Sequence, residues 1–331
     1  TGNVKAQQVS LPRLKASITA SGPNLPGKSI AGELSGSAGV DGAKQTAKVD
    51  LGGKIADSRV KAHFDVSDFT PLALSFNLDI DQLDVDRYLP PETAGADSRG
   101  KGKGKGAGGA KGGKREEPFD LAALRDLRAN GKMHFGSLKA NNVKASNVRA
   151  DVKTGGGRVD ISPLTANFYQ GSLSSAIAVN VAPAVPTFAV KHSMTGIDVG
   201  AFLRDLADND TLDGRGNVTL DVTTRGNTVT AMKKALDGKA ALKVTNGAIK
   251  GIDIAGTIRG ARARLGALRG EQTQQVDKGQ KTGFSELAAT FDIRNGVAHN
   301  KDLSMKSPLL RGAGEGDINI GEDTINYLLK A

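Results

Sequence analysis

Three residue patterns in this chain have the types and spacing to do chemistry, and each carries a structural condition. The first is glycine beside positive charge. The stretch RGKGKGKGAGGAKGGKREEP, Arg99 to Pro118, contains Gly104-x-Gly106-x-x-Gly109, the spacing of a dinucleotide-binding loop. It also contains Gly108 through Gly113-Lys114, close to a phosphate-binding loop. Such loops work because backbone N–H groups converge on phosphate where a strand gives way to a helix. Here Arg115 stands where a magnesium-holding hydroxyl is needed, and the preceding LPPETAGADS is no strand. The segment reads instead as a disordered linker, because its composition cannot bury enough surface to offset the entropy of ordering it. Attraction to an anionic lipid surface, ~1 kcal/mol per basic residue near the membrane, would be a by-product.

The second pattern is imidazole and carboxylate. His63, His134, His192 and His299 are far apart in the chain and none has metal-ligand spacing. His63 alternates with apolar residues, which puts it on the polar face of a strand. Asp79, Asp81, Asp84 and Asp86 form an acidic run in LDIDQLDVDRYL, but the glycine and terminal glutamate of a calcium loop are missing. They read as polar strand positions leading into a turn. The third pattern is the nucleophile. There is no Cys and no G-x-S-x-G, which excludes disulfides, thiolate zinc and cysteine chemistry. The expectation is therefore no catalytic residue, no metal and no cofactor.

What remains is the scaffold, and it is β-structure. LALSFNLDI places Leu72, Leu74, Phe76, Leu78 and Ile80 on one face. VKAHFDV does the same with Val60, Ala62, Phe64 and Val66, NVTLDV with Val218, Leu220 and Val222, ALKV with Leu242 and Val244, and SLSSAIAVNV with Leu173, Ile177, Val179 and Val181. Alternation of period 2 gives each strand an apolar and a polar side. Asn246-Gly247, Asn295-Gly296 and Arg225-Gly226-Asn227 read as hairpin connectors. Helices are few. Asp120 opens DLAALRDLRANG (Leu121, Leu124, Leu127, with Gly131 beyond its end), and Asp198 opens DVGAFLRDLAD (Phe202, Leu203, Leu206). Thr228 or Thr230 opens TVTAMKKALDG, which Gly238 stops. A basic amphipathic helix is expected around Ile254, Ile258, Ala261, Leu265 and Leu268. LDGRGNVTLDV and LDGKAALKV repeat one another, with ANGKMHFGSL a looser copy, so the chain reads as an array of strand units.

Composition agrees. Of 331 residues, 38% are hydrophobic and 4% aromatic, with 43 Gly and no Trp, which suits an extended β-rich body with a thin core. The net charge is +10, yet Arg99 to Arg115 alone holds seven basic and no acidic residues, leaving about +3 elsewhere. With no aromatics among those basic residues, nucleic acid is not an expected partner. No apolar run approaches the ~20 residues of a membrane span. TGNVKAQQ at the start and DTINYLLKA at the end both read as internal to a longer chain.

Residues 118–331 resemble the C-terminal region of the AsmA family of envelope proteins of Gram-negative bacteria. The resemblance is carried by GKMHFGSLKANNVKASNVRADVKTGGGRVDISPLTANFYQGSLS, with PLTANFYQG at Pro163 to Gly171, and by MTGIDVGAFLRDLADNDTLDGRGNVTLDV. ALDGKAALKVTNGAIKGIDI, FSELAATFDIRNGVAHNKDLSMKSPLLRGAGEGDINI and INYLLKA extend it. It covers about two thirds of the chain; residues 1–92 fit more loosely and the Gly/Lys segment not at all. The expected organisation is a β-rich part over 1–92, a linker over 93–117 and the AsmA-like region over 118–331. The resemblance implies a mainly β, elongated, antiparallel, gutter-like groove with a few short helices. It further implies a periplasmic body attached to the inner membrane by an N-terminal helix absent from this sequence. The partners it implies are phospholipid acyl chains, both membranes and other envelope proteins. The groove would shield acyl chains during transfer toward the outer membrane; the alternative is an assembly factor whose sheet holds outer-membrane proteins. The groove candidates are Leu72, Leu74, Phe76, Leu78, Val218, Leu220 and Val222.

Overall fold

A computed structural model describes residues 2–3, 7–22, 29–88, 116, 118–251, 281–308 and 311–330. The Gly/Lys stretch, apart from Glu116 and Pro118, and the expected basic helix at Ile254 to Leu268 lie outside the described residues. The strands are β1 (Gly2–Asn3), β2 (Gln8–Ser21), β3 (Ser29–Asp41), β4 (Thr46–Ile55), β5 (Ser58–Phe69), β6 (Leu72–Asp84), β7 (Arg128–Ala140) and β8 (Val143–Gly155). There follow β9 (Arg158–Phe168), β10 (Gly171–Asn180), β11 (Thr187–Asp198), β12 (Leu212–Arg225), β13 (Asp237–Lys250), β14 (Lys281–Arg294), β15 (Val297–Lys306), β16 (Arg311–Asn319) and β17 (Thr324–Lys330). Helix α1 (Val199–Ala207) joins β11 to β12, and α2 (Val229–Lys234) joins β12 to β13.

Each strand pairs with the next one in the chain, antiparallel throughout except at β6–β7, which is parallel. The result is one open sheet, mainly β and not closed into a barrel. Sequential pairing follows from the connectors. Asn141-Asn142, Gly156-Gly157, Tyr169-Gln170 and Asn295-Gly296 all have positive φ at both central residues, the geometry whose twist matches that of the strands it joins. Of these, Asn295-Gly296 is the one that sequence reading identified as a hairpin connector. Tyr169 is the unexpected member. Its left-handed backbone is held by tertiary contacts: its hydroxyl donates to Asp205 at 2.7 Å and accepts from the Lys144 N–H at 3.1 Å.

Tyr88, after β6, and Arg128, which opens β7, lie at opposite ends of this parallel strand pair.

Two expected helices form. Asp198 caps α1, its carboxylate accepting from the Ala201 N–H at 2.9 Å, and Thr228 caps α2, its hydroxyl accepting from the Ala231 N–H at 3.2 Å. Other expectations are corrected. After Asp120 there is only a single 3-10 turn, Ala122–Leu124, and Gly131 lies inside β7. Pairing on both sides, with β6 and β8, outweighs the weak local helix preference there. Asn246-Gly247 is not a hairpin: β13 runs straight through it, paired with β14 at Thr245↔Glu286 and Gly247↔Phe284. The positive φ of Asn246 is absorbed as a bulge toward β12, where the register shifts between Asp213 and Arg215. Arg225-Gly226-Asn227 leads into α2 rather than into a hairpin, and α2 ends at Lys234, before Gly238, which is already part of β13.

Candidate functional site

The period-2 patterns become a surface once the register is known. Beginning at Leu11 and stepping strand by strand, the partners are Ala38, Val49, Phe64, Phe76, Gly131, Val152 and Ile161. The row continues through Ile177, Val190, Val222, Gly238, Ile293, Ala298, Ile318 and Ile325. It crosses every strand from β2 to β17 without meeting one polar side chain. At about 4.8 Å per strand it is about 70 Å long. The adjacent row on the same face runs Gly36, Leu51, Ala62, Leu78, Met133, Ala150 and Leu164. Ser175, His192, Leu220, Ala240 and Phe291 complete it.

Most of this face is half-buried rather than buried, because no second layer of sheet among the described residues covers it. A trough of about 650 Å3 is bordered by Leu51, Ala62, Leu78 and Met133, but most of its lining, including Asp50, Lys61, His63, Asp79 and His134, stands on the opposite, polar face. Farther along, a trough of about 550 Å3 is bordered by His192, Leu220, Ala240 and Phe291 together with Thr219, Asp221, Lys239, Thr290 and Asp292 of the opposite face.

The ends of the strands are furnished with walls. At one end α1 presses Phe202 and Leu203 onto a cluster of Phe168, Ile197, Val199, Val244, Phe284, Leu287 and Met305. Asp205 of α1 reaches back to β8, where the Lys144 ammonium lies 3.1 Å away. Strands β8 and β12 are four apart, about 19 Å in a flat sheet, yet both meet a helix about 10 Å wide, so the sheet bends around it. Burial pushes the Tyr169 phenol beside Asp205 up to about 12. At the opposite strand ends, residues 118–127 run from α2 to β7. Phe119 N–H donates to the Asn227 carbonyl at 2.8 Å, Glu116 accepts from the N–H groups of Val229 and Thr230 at 2.8 and 3.1 Å, and the Thr154 hydroxyl donates to the Leu127 carbonyl at 2.9 Å.

The candidate groove residues fall as follows. Leu74, Phe76 and Leu78 pair with Val66, Phe64 and Ala62, while Val218, Leu220 and Val222 pair with Met194, His192 and Val190, all six on this face. Leu72 stands at the hairpin end of β6 and is 43% exposed. Sequence reading gave α1 but not where it packs, and it missed the 118–127 wall and the pair Ser175–His192. Neighbouring strands bring these two together although they are seventeen positions apart, and the alternation of Leu173, Ile177 and Val179 was the only signal for Ser175.

The other face is polar and laced with ion pairs. His63 stands between Asp50 at 2.6 Å and Asp65 at 2.8 Å, and these bonds raise its pKa. His134 meets Asp79, and His299 meets Asp317, each at 2.8 Å. The acidic run disperses: Asp81 holds Arg59, Asp84 and Asp86 lie 3.5 and 3.3 Å from Lys139, and Asp86 also accepts from the Asn142 N–H at 2.8 Å. Among the described residues no group of His, Asp and Glu is arranged to hold a metal ion.

Glu286 lies between Lys243 at 2.8 Å and Lys306 at 2.6 Å, and their hydrogen bonds pull it down to about 2 from the ordinary 4.5. A lowered carboxylate pKa contributes stability above the unfolded value and loses it as pH falls through the folded one. The gap in melting temperature between the protein and Glu286→Gln is therefore expected to be full above about pH 5 and to close between about pH 4.5 and 2. Melts that differ equally at pH 3 and pH 7 would refute this.

Compared with protein-family models, residues 3–303 match the one described as the AsmA family. Comparison with curated proteins and with solved structures gave no match.

Proposed function

The chain belongs to the AsmA family, a generally non-catalytic family related to outer-membrane biogenesis, and from that premise we propose that it is a lipid-binding and lipid-transfer protein. The apolar row that crosses all sixteen long strands supports this reading most directly. It offers acyl chains a track of about 70 Å, several times the ~15 Å depth of one membrane leaflet. Each methylene removed from water contributes ~0.8 kcal/mol, so a long chain gains on the order of 10 kcal/mol with no specific polar contact. A track of this kind needs no catalytic group and selects weakly among headgroups. The proposed location is the periplasm, between the two membranes, with attachment to the inner membrane as in the family. No helix among the described residues is long and apolar enough to cross a membrane.

A test is photo-crosslinking from Phe76 and Leu220, with Asn77 and Thr219 on the opposite face as controls, in protein purified without detergent and analysed by lipid mass spectrometry. Phospholipid adducts are expected at the first two positions alone. Lipid no more abundant than in an ordinary soluble protein, with no adducts, would sink the reading.

One observation favours a second reading. Strand β17 exposes Ile325 (73%), Leu328 (53%) and Leu329 (69%), apolar surface that suits a segment of an outer-membrane protein. Recovery of a stoichiometric protein partner with lipid-free preparations would select it.

A further inference from the structure

The second apolar row has one interruption, and it is a matched pair. Ser175 on β10 and His192 on β11 stand directly opposite each other in the register. Leu164 and Leu220 continue the row on either side of them, and Leu173 with Met194 and Ile177 with Val190 flank them. Ser175 is 6% exposed, and neither its hydroxyl nor His192 Nδ1, both shielded from solvent, has a hydrogen-bond partner. Paired polar groups are the rule in protein interiors, so two adjacent orphans on an otherwise greased surface point to a partner that comes with the ligand.

The chemistry of that partner follows from what surrounds the pair. A hydroxyl and an imidazole offer donors and acceptors without charge. Burial pulls the His192 pKa down, which keeps the ring neutral. The six same-face neighbours are apolar, and the nearest cation along the chain, Lys191, points to the other face, where it meets Asp221 at 3.0 Å. A phosphate or carboxylate would find no counter-charge here, whereas a neutral acceptor would be matched.

We propose that Ser175 and His192 form a polar station within the track that hydrogen-bonds the ester carbonyl of an acyl lipid. The proposal rests on the lipid reading above and sharpens it: the track recognises the ester linkage, not only the hydrocarbon, and holds the lipid at one position along its length.

The test uses the whole chain with its histidines labelled with 15N. The probes are dihexanoyl phosphatidylglycerol below its micellar concentration and the diether analogue with the same chains and headgroup. Wild-type protein is expected to bind the diester about fivefold more tightly than the diether, the worth of one net hydrogen bond. The ring nitrogens of His192 are expected to shift with the diester alone. In the Ser175→Ala/His192→Leu variant the preference should vanish while diether affinity persists, which also reports that the variant is folded. Equal affinities in the wild type, no shift specific to the diester, or a preference that survives in a folded variant would each overturn the station. Binding of neither lipid would overturn the track itself, and the station with it.

Discussion

Val190→Asp is expected to strip bound lipid from the protein, while Ser193→Asp, three residues along the same strand and on the opposite face, leaves it in place. Val190 occupies the middle of the unbroken row, between Ile177 and Val222. Ser193 is exposed and lies between Ser174 and Thr219 on the polar side. An acyl chain laid across Val190→Asp would have to desolvate a carboxylate whose same-face neighbours Ile177, Val222, Phe188 and His192 supply no cation, at a cost of several kcal/mol per ion. Lipid per mole of protein should therefore fall by at least about tenfold. The fold should tolerate the change, because the position is half-open and the new carboxylate keeps its water in the lipid-free state. Circular dichroism and a lipid assay on the same sample separate the two effects. Equal lipid content in both variants, with folding intact, would show that the row carries no lipid.

The second large effect is structural. Gly238→Ala is expected to destabilise the sheet by about 2–6 kcal/mol, combining backbone strain with overpacking. Gly238 has φ of 144°, where L residues are strained, and a Cβ there would press into the backbone carbonyl of Asp221 on the neighbouring strand. Gly214 holds the same place in the other copy of the Leu-Asp-Gly repeat, with φ of 140°. A Cβ there would press on the fully buried Val244 side chain and on the Gly247 backbone. Gly214→Ala should therefore fall in the same range. Urea unfolding followed by circular dichroism gives both values. A Gly238→Ala protein within about 0.5 kcal/mol of the parent would contradict the packing described here.

The Leu-Asp-Gly repeat was legible because it is local: two copies of one motif open β12 and β13 with nearly the same glycine geometry. The caps of α1 and α2 were legible for the same reason. The failures share a cause as well. DLAALRDLRANG carries a helix pattern, yet β6 and β8 claim its last four residues from both sides. Asn246-Gly247 carries a turn pattern, yet β14 keeps the strand running through it. In each case a neighbour distant in sequence supplied the backbone partners that decided the outcome.

Alternation along the chain determined, from sequence alone, that the strands have an apolar and a polar side and that no catalytic or metal-binding set stands out in motif or spacing. It could not determine which residue of one strand faces which residue of the next. Register is set by bulges, turn geometry and pairing on both sides, and a slip of one residue reverses every side chain. Only the tertiary structure joins Leu11 to Ile325 in a single apolar row, places Ser175 opposite His192 and sets α1 against β8, because each of these relations is a contact between strands rather than a property of any one of them.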